Sequence, residues 1–531
     1  MPCFNYQLNM ASKGYSEPIE ISVREMYFME EEVLIAGAGP SGLALAISLS
    51  RQGIPFTIID KDDGPGTTSR AMAVQARTLE LYEQLGIADK IVVNGIIVNK
   101  INFFKNKNHL ARIPVGQLGQ EMSAFPYVLI LPQDVHENIL VNELKSSGHD
   151  VKWNHELTSF RDDGDSVEAV IENENGSETK KFSYICGCDG ASSTVRKALD
   201  IEFTGGTYRQ TFFVADVESE TVLEGPSMGF RDEYFCIGFP IRTMDQVRLI
   251  GLIPDEYKED GEAPEDFSKM ISYAESILPV ELTKVNWYSS YRSHHRVAEK
   301  FRTGRAFIVG DAGHIHSPAG GQGMNTGIGD AINLAWKLSA VLKGKASESI
   351  LDTYEAERIK FARTLVNTTD RLFKFMVDKQ RLRNFVVPVF IPRLLRFNSM
   401  RERLFRMISQ IQINYHDSDL SAGESGDVKG GDRLPWIRRG EVNNYRPLKN
   451  LDWQIHVYGE LNSDVETLAQ DTGLSLFHLP WDKTLEDKGI KENSVYLVRP
   501  DAHISAAADF ENVHVLRNMI DDYRIQSMGS E

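Results

Sequence analysis

A glycine motif set between a strand pattern and a helix pattern constrains this chain more than any other feature. The apolar run from Val33 to Ala36 has the length of one buried parallel strand. Gly37-Ala38-Gly39-Pro40-Ser41-Gly42 follows at once, and the small-residue run from Leu43 to Leu49 predicts a helix. A second strand, predicted from Phe56 to Ile59, ends at Asp60. Strand, G-x-G-x-x-G, helix, strand and acid in this order predict a dinucleotide-binding fold.

Each part of this motif has a physical role. Gly37 permits a tight turn, Gly39 lets a pyrophosphate approach the backbone, and Gly42 lets helix and strand pack closely. The helix N-terminus offers N–H groups and the positive end of its dipole to the phosphates. Asp60, with Lys61 beside it, lies where a carboxylate can accept both hydroxyls of an adenosine ribose. The acid favours an unphosphorylated ribose, so this end of the site indicates NAD or FAD rather than NADP.

A second glycine-rich segment lies much further along the chain. The run from Ala306 to Val309 predicts another buried strand, which ends at Gly310-Asp311. The loop that follows contains Pro318-Ala319-Gly320-Gly321-Gln322-Gly323-Met324-Asn325 and feeds a long helical pattern. Backbone N–H groups and a positive helix end suit an electron-poor ring whose carbonyl gains negative charge on reduction. This second segment therefore favours FAD over NAD.

Taken together, these motifs resemble one family of flavoproteins. The motifs are the G-x-G-x-x-G at 37–42, Asp189-Gly190 after an apolar strand, Gly310-Asp311, and the run from Pro318 to Asn325. The chain is similar to the single-component FAD monooxygenases typified by para-hydroxybenzoate hydroxylase. Within these it most resembles the hydroxylases of phenols, aromatic polyketides and antibiotics. The resemblance covers residues from about Val33 to the helix after Asn325, with a weaker match in the C-terminal part.

The resemblance implies a set of cofactor-binding residues. They are Gly37, Ala38, Gly39, Pro40, Ser41, Gly42, Asp60, Lys61, Arg70, Gln133, Asp189, Gly190, Asp311, Pro318, Gly321, Gly323, Met324 and Asn325. Asp60 would hold the adenosine ribose, and Arg70 and Gln133 would contact the FAD phosphates and ribityl chain. Arg70 could instead be a solvated loop residue, and Gln133 an ordinary residue at a helix start.

The remaining implied roles lie nearer the flavin ring. Asp189-Gly190 would support the flavin and the path of the nicotinamide cofactor, while Asp189 also caps the helix that follows. Asp311 would bind the ribityl or pyrophosphate region. Residues 318–325, which we call the flavin-ring loop, would flank the isoalloxazine, with the N–H groups of residues 323–325 near N1 and O2. No catalytic side chain is assigned beyond this loop, whose members include Pro318, Gly320 and Gly321.

The activity that the resemblance implies is that of an FAD-dependent aromatic hydroxylase. NADPH or NADH would bind transiently and reduce the flavin, because the sequence holds no second G-x-G-x-x-G. O2 would then add at C4a, and the hydroperoxide would transfer oxygen to an electron-rich ring. Baeyer–Villiger or epoxidation chemistry on the same fold stays open, as does a non-catalytic dinucleotide-fold binding protein. His314 and His316 have no third ligand at metal-site spacing, so we predict no metal site.

The motifs also divide the chain into expected domains of an α/β protein. We expect a disordered extension at 1–28, an FAD-binding Rossmann-like domain of the glutathione-reductase type at 29–202 and 296–420, and an inserted mixed β-sheet substrate domain at 203–295. The C-terminal part, 432–531, resembles a thioredoxin-like domain, but it has no dithiol. The arginine-rich stretch from Phe373 to Ile408 predicts helices that pack on the flavin domain, with a membrane-surface element as the alternative.

Composition narrows the classes of partner. Asp plus Glu (75) exceeds Lys plus Arg (58), and the formal net charge of −17 argues against nucleic acid as a partner. Four cysteines exclude a disulfide scaffold and favour a reducing, cytoplasmic location. No apolar run reaches the ~18 residues that a transmembrane helix needs. The expected partners are therefore a small aromatic substrate and O2, and a homodimer stays open.

Overall fold

The computed structural model describes residues 33–67, 71–116, 118–232, 234–241, 243–317, 321–378, 391–394 and 397–529. The expected extension at 1–28 and the candidate site residues Arg70, Pro318 and Gly320 lie outside these ranges. So does the part of the arginine-rich stretch between residues 379 and 390. Along the described chain, no helix combines the length and the apolar character that crossing a membrane requires.

Strands and helices alternate in the first part of the chain, and strands dominate its middle. The strands are β1 (Val33–Ala36), β2 (Phe56–Ile59), β3 (Ala73–Val74), β4 (Ile96–Ile97), β5 (Lys100–Lys105), β6 (Asn108–Pro114), β7 (Leu129–Ile130), β8 (Glu156–Asp162), β9 (Val167–Asn173), β10 (Gly176–Phe182), β11 (Tyr184–Gly187), β12 (Phe203–Ser219), β13 (Ser227–Arg231), β14 (Tyr234–Ile241), β15 (Thr243–Leu252), β16 (Leu282–Ala298), β17 (Arg302–Thr303), β18 (Ala306–Ile308), β19 (His314–Ile315), β20 (Glu424–Ser425), β21 (Val428–Lys429), β22 (Arg438–Arg439), β23 (Val442–Asn443), β24 (Gln454–Tyr458), β25 (Ser475–Leu479), β26 (Ser494–Val498) and β27 (Ile504–Asp509). The helices are α1 (Pro40–Arg51), α2 (Ala76–Gln84), α3 (Ala88–Val93), α4 (Gln133–Ser146), α5 (Thr194–Ala198), α6 (Ile271–Ile277), α7 (Gly323–Leu342), α8 (Asp352–Asp378), α9 (Ile391–Leu394), α10 (Asn398–Ile408), α11 (Ser463–Thr472), α12 (Lys483–Glu486) and α13 (His514–Tyr523).

The central sheet brings together strands that lie far apart in sequence. Its order is β17-β18-β11-β1-β2, and β1 runs parallel to both β11 and β2, while β11 runs parallel to β18. All four residues of β1 are buried, as are those of β11, because helices such as α1 and α7 cover the sheet. The carboxyl ends of β1, β11 and β18 therefore lie side by side at one edge.

A second sheet is mixed and has eight strands. Its order is β19-β16-β12-β15-β14-β13-β5-β6, so strands from residues 100–114 join strands from residues 203–298. Side chains alternate across β12: Phe213 and Ala215 pack with α6 residues, whereas Phe212 belongs to a cluster with Met72 and Ala76. Met72 and Ala76 flank the residues that hydrogen-bond to Asn325 of the second glycine-rich segment. One face of this sheet is thus turned toward the glycine loops.

The C-terminal part forms a second, smaller mixed sheet. Its order is β25-β24-β26-β27, with β24 parallel to β25 and antiparallel to β26, which is antiparallel to β27. Trp453 and Ile455 from this part share one continuous buried cluster with α7 residues such as Trp336. The C-terminal sheet is therefore packed directly on the helix that follows the flavin-ring loop.

Candidate flavin-binding site

Of the three glycines in the turn from β1 into α1, Gly39 is the one with open space beside it, where a phosphate group could lie. A Cβ atom at Gly37, whose φ is +104°, would lie 2.4 Å from the Cys188 carbonyl oxygen. A Cβ at Gly42 would lie 1.9 Å from the Gly37 oxygen, so helix and strand touch through backbone. At Gly39 no heavy atom lies within 4 Å of such a Cβ. No side chain caps α1 and its first turn holds no acid, which leaves an anion-binding helix end.

Asp60 lies at the end of β2, directly against this turn. Its Oδ2 accepts a hydrogen bond from the Ala38 N–H at 2.6 Å, and its Oδ1 accepts one from the Asp62 N–H at 3.0 Å. Lys61, next to it, is exposed. The carboxylate is thus held at the rim of the glycine turn, where it can still accept from ribose hydroxyls through its remaining lone pairs.

Gln133 is the first residue of α4 and connects this helix to Ala71, which lies just before β3. Its backbone N–H donates to the Ala71 carbonyl at 3.1 Å, and its Nε2 donates to Glu137 at 2.7 Å. Glu137 also accepts from the Gly66 N–H at 2.9 Å, and burial raises the pKa of Glu137. The start of α4 therefore bonds to Gly66 and Ala71, which precede and follow residues 68–70 in the sequence.

Asp189 follows β11 and serves as a helix cap. Its Oδ2 accepts from the Thr194 and Val195 N–H groups at 2.7 and 3.1 Å, whereas its buried Oδ1 has no hydrogen-bond partner in the described structure. Gly190, with φ +72°, has open space at the position of a Cβ. The predicted capping role of Asp189 is present, and one carboxylate oxygen is left for a ligand.

The described part of the flavin-ring loop is fastened by Asn325. Its Oδ1 accepts from the Gln75 N–H and the Thr78 hydroxyl, both at 2.8 Å, and its Nδ2 donates to the Ala73 and Gly321 carbonyls. These four bonds occupy the side chain, so only the backbone of this residue can serve a ligand. Gly323 and Met324 open α7, which has no side-chain cap and no acid in its first turn.

Asp311 lies in the short 3₁₀ turn Gly310–Ala312 that ends β18, and it is exposed at the strand edge. Gly310 adopts φ +63°, and a Cβ there would lie 2.5 Å from the Ser41 hydroxyl of α1. The second glycine motif therefore packs on the first. The structure brings Gly37–Gly42, Asp189-Gly190 and Gly310-Asp311 to one edge of the central sheet.

Sequence reasoning missed the buried acid that supports this junction. Asp330 of α7 accepts from the Gly310 N–H at 3.1 Å, from His314 Nε2 at 2.6 Å and from Arg358 Nε at 2.6 Å. Burial alone would raise the pKa of Asp330, but Arg358 and His314 lower it below its ordinary value. A usable signal was present, because Asp330, Asn333 and Lys337 recur at helical spacing within an otherwise apolar helix.

Two histidines near the loop have hydrogen-bonding roles. His314 pairs with Asp330, and His316 Nδ1 lies 2.8 Å from the Ser317 carbonyl oxygen. Burial lowers the pKa of His316 to about 4, so this imidazole is neutral at pH 7. Among the residues that the structure describes, no group of three His, Cys, Asp or Glu side chains could hold a metal ion.

A second buried pair lies on the sheet face that is turned toward the glycine loops. Arg248 donates to both oxygens of Asp216 at 2.6 and 2.7 Å, and its Nη1 is buried with no hydrogen-bond partner in the described structure. A cavity of about 550 Å³ adjoins this pair and is lined by Asp216, Trp287 and Thr67, among others. Phe212 and Tyr291 stack further along the same face, with ring centroids 5.5 Å apart.

These features suit a flavin dinucleotide. The open space at Gly39 can take a phosphate group. The unpartnered Asp189 oxygen can accept from a hydroxyl group, and the uncapped start of α7 can donate to a ring carbonyl. A parallel sheet with these three motifs along its carboxyl edge, faced by a large mixed sheet, defines a flavoprotein of the dinucleotide-binding class.

Comparison with known proteins identifies the family. The model of the FAD-binding-domain family matches residues 30–369, and the chain belongs to this family. Over 420 residues it is 36% identical to 6-methylpretetramide 4-monooxygenase of Streptomyces rimosus, a match that covers 75% of this chain and 72% of that protein. Over 492 residues it is 32% identical to a flavin-dependent monooxygenase of Mycobacteroides abscessus, covering 90% of this chain and 97% of the relative.

A solved structure shows the same arrangement. The anhydrotetracycline hydroxylase OxyS from Streptomyces rimosus superimposes with a TM-score of 0.76 at 27% identity, covering 93% of this chain and 99% of that one. The predicted resemblance to FAD-dependent aromatic monooxygenases is thereby confirmed, together with the α/β fold and its FAD-binding domain.

Proposed function

We propose that this protein uses NADPH or NADH and O2 to hydroxylate a flat aromatic substrate, with FAD as its resident cofactor. The observation that carries the proposal is the meeting of three glycine and aspartate motifs at one sheet edge, opposite an aromatic-lined sheet face. When bound and reduced, FAD supplies the activation of O2 and the transfer of one oxygen atom. The remaining work, which is binding, orientation and exclusion of water, belongs to this chain's own residues.

The phosphate and ribose end of FAD is assigned to the first motif. The N-terminus of α1 binds the pyrophosphate across Gly39, where the space for it is open. Asp60 accepts the ribose hydroxyls, with Lys61 beside it. Arg70 and Gln133 would contact the phosphates and ribityl chain, as the family resemblance implies.

The ring end is assigned to the other motifs. Asp189-Gly190 supports the flavin with the free oxygen of Asp189, and Asp311 takes the ribityl or pyrophosphate region. The backbone N–H groups of Gly323, Met324 and Asn325 would hold the carbonyl edge of the flavin ring, where donors of this kind favour negative charge. Pro318, Gly320 and Gly321 would flank the ring, as the family resemblance implies. Because α7 carries no acid in its first turn, its dipole acts on the ring without local opposition.

The domain organisation follows from this assignment. We assign residues 29–202 and 296–420 to the FAD-binding domain and residues 203–295 to the inserted substrate sheet. Strands β5 and β6, from residues 100–114, join this sheet although they precede the insertion in sequence. Residues 432–531 form a thioredoxin-like domain, supported by the mixed order β25-β24-β26-β27 with helices α11 and α13. This part of the chain contains no cysteine, so its role is structural and not redox.

The substrate class is a large, flat, polycyclic molecule of the phenolic, polyketide or antibiotic type. The cavity of about 550 Å³ beside Asp216 and Trp287 has the size of a polycyclic ligand. The stacked rings of Phe212 and Tyr291 pack further along the same sheet face. Similarity to an anhydrotetracycline hydroxylase and to a 6-methylpretetramide monooxygenase supports the same class.

The test begins with colour. Purified protein should carry flavin absorbance at one FAD per chain, and it should consume NAD(P)H faster when candidate phenols or polycyclic aromatic compounds are added. Mass spectrometry should show a product heavier by one oxygen, and NMR should place that oxygen on an aromatic carbon rather than within a ring. A colourless protein would refute the proposal at its first step. NMR evidence of ring-oxygen insertion would replace hydroxylation by Baeyer–Villiger chemistry.

A further inference from the structure

Four ionised side chains form a buried set between α7, α8 and the C-terminal sheet. Arg499 donates to the two oxygens of Glu357 at 2.7 and 3.0 Å and to Asp501 at 2.7 and 3.1 Å. Lys337 donates to Glu357 at 2.8 Å. The exposed fraction of each of these side chains is 3% or less. Two cations and two anions balance, so removing one leaves an uncompensated buried charge.

This ionic set contacts α7 directly. Asn333 of α7 donates to Glu357 at 2.7 Å and to Asp501 at 3.2 Å, and it accepts from Lys337 at 2.9 Å. The Arg499 guanidinium also lies 5.1 Å from the ring centroid of Trp336, which precedes Lys337 in the sequence. Polar and ionic contacts of fixed geometry therefore set the rotation of α7 about its axis.

A second route connects the C-terminal segment to the start of α7 through α2. Arg77 of α2 donates to the Asp501 carbonyl oxygen at 2.5 Å, and Gln84 of the same helix donates to the Pro500 carbonyl at 3.3 Å. Thr78, one residue after Arg77, donates to Asn325 at 2.8 Å. The two routes converge on the flavin-ring loop, because Asn325 and Asn333 lie on one helix about 12 Å apart.

The position of these residues in the chain separates them from the cofactor motifs. The family match ends at residue 369, so Glu357 and Lys337 lie within it while Arg499 and Asp501 lie beyond it. Burying charges costs several kcal/mol of desolvation, and a packed apolar contact would hold two units together at least as well. A buried ionic set is, however, well suited to fixing one orientation among several that apolar packing would allow.

We propose that Asp501 and Arg499 are positioning residues for bound FAD, which hold α7 in the orientation that presents its N-terminus to the flavin ring. The inference rests on the proposed FAD site and adds to it a dependence on the C-terminal sheet. Neither residue touches the cofactor in this arrangement. Their effect reaches it through Asn333 along α7 and through Arg77 and Thr78 of α2.

The experiment compares two Asp→Asn variants of the full-length holoprotein. Asp501→Asn removes one charge of the buried set without changing its shape, and it should raise the FAD dissociation constant roughly 3- to 30-fold, the range for residues that modulate a site indirectly. The visible absorption bands of the bound flavin should also shift. The matched control is Asp471→Asn, which breaks the exposed pair with Arg517 on the same C-terminal unit and should change neither quantity.

Hydrogen exchange distinguishes positioning from a loss of stability. If the C-terminal contacts favour FAD binding, FAD must favour those contacts by the same factor. Removing FAD should therefore speed amide exchange in β26 and β27 of the wild type, with β8–β10 as the internal reference. In Asp501→Asn this FAD dependence should be lost. A merely structural role would speed exchange equally with and without FAD.

Three results decide the matter. Wild-type protein that is yellow while Asp501→Asn keeps wild-type FAD affinity, spectrum and exchange would overturn the inference and leave the proposed function intact. Colourless wild-type protein would overturn the proposed function and this inference with it. If Asp501→Asn does not fold, Arg499→Lys carries the same test, since it keeps the charge but loses the two-point contact with Glu357, and wild-type FAD affinity in that variant would overturn the inference.

Discussion

Replacing Gly39 with valine should abolish FAD retention while leaving the fold nearly intact. No heavy atom lies within 4 Å of a Cβ at this position, so the new side chain meets only the space assigned to the pyrophosphate. A poorer residue at the start of α1 costs about 1 kcal/mol of stability. Losing two hydrogen bonds to the charged pyrophosphate, at about 1.5–3 kcal/mol each, corresponds to roughly 10²- to 10⁴-fold weaker FAD binding.

The assay measures the ratio of flavin absorbance to protein, together with thermal unfolding of the FAD-free form followed by circular dichroism. Gly42→Ala supplies the contrast, because its Cβ would lie 1.9 Å from the Gly37 carbonyl oxygen. That variant should lose about 1–3 kcal/mol of stability through overpacking, whether or not FAD is present. A Gly39→Val protein that stays yellow at full stoichiometry would refute the reasoning.

Two further predictions concern buried charge. Asp330→Asn should lower the free energy of unfolding by about 3–5 kcal/mol in urea titrations, because Arg358 stays buried without its anion. Asp352→Asn should cost under about 1 kcal/mol, because this carboxylate is 75% exposed and its partner Arg302 keeps Glu348. Equal costs for the two variants would contradict the argument. Burial lowers the pKa of His136 to about 4, below the ~6.5 of an unfolded chain. Between these two values the unfolded state binds one more proton at this residue than the folded state does. The free energy of unfolding should therefore fall as the pH drops from 6.5 to 4, by up to about 1.4 kcal/mol per pH unit. His136→Gln should reduce that slope, and an unchanged slope would contradict the assignment of this proton to His136.

The elements around the glycine motifs could be predicted because their signals are local. The strands at Val33–Ala36 and Phe56–Ile59 have the bounds that the apolar runs predict, and β18 ends one residue earlier than predicted. The helix predicted from Leu43 begins three residues earlier, at Pro40, since proline suits a first helical position. Asp189 could be recognised as a cap because its partners follow it within a few residues.

Other parts of the site depend on contacts that no local pattern encodes. The Asp216–Arg248 pair follows from the register of β12 on β15, because a shift of β15 by one residue would place the two side chains on opposite faces of the sheet. Nothing near Arg248 in the sequence indicates where its partner lies. The sequence could therefore suggest a sheet in this region, but not which charged groups it would bring together.

Helix α7 shows why the cofactor site and the C-terminal sheet are not independent. Its first turn forms part of the flavin-ring loop, Asp330 in its second receives the Gly310 N–H of the other glycine motif, and Asn333 contacts Asp501 from the C-terminal sheet. A rigid helix of this kind cannot shift at one of these points without shifting at the others. The buried polar residues Asp330 and Asn333 of α7 hydrogen-bond to different partners. An apolar helix could pack as tightly, but its packing would not fix one rotation of the helix about its axis. A change in the C-terminal sheet should for this reason alter the affinity for FAD and the absorption spectrum of the bound flavin more directly than it alters the turnover rate.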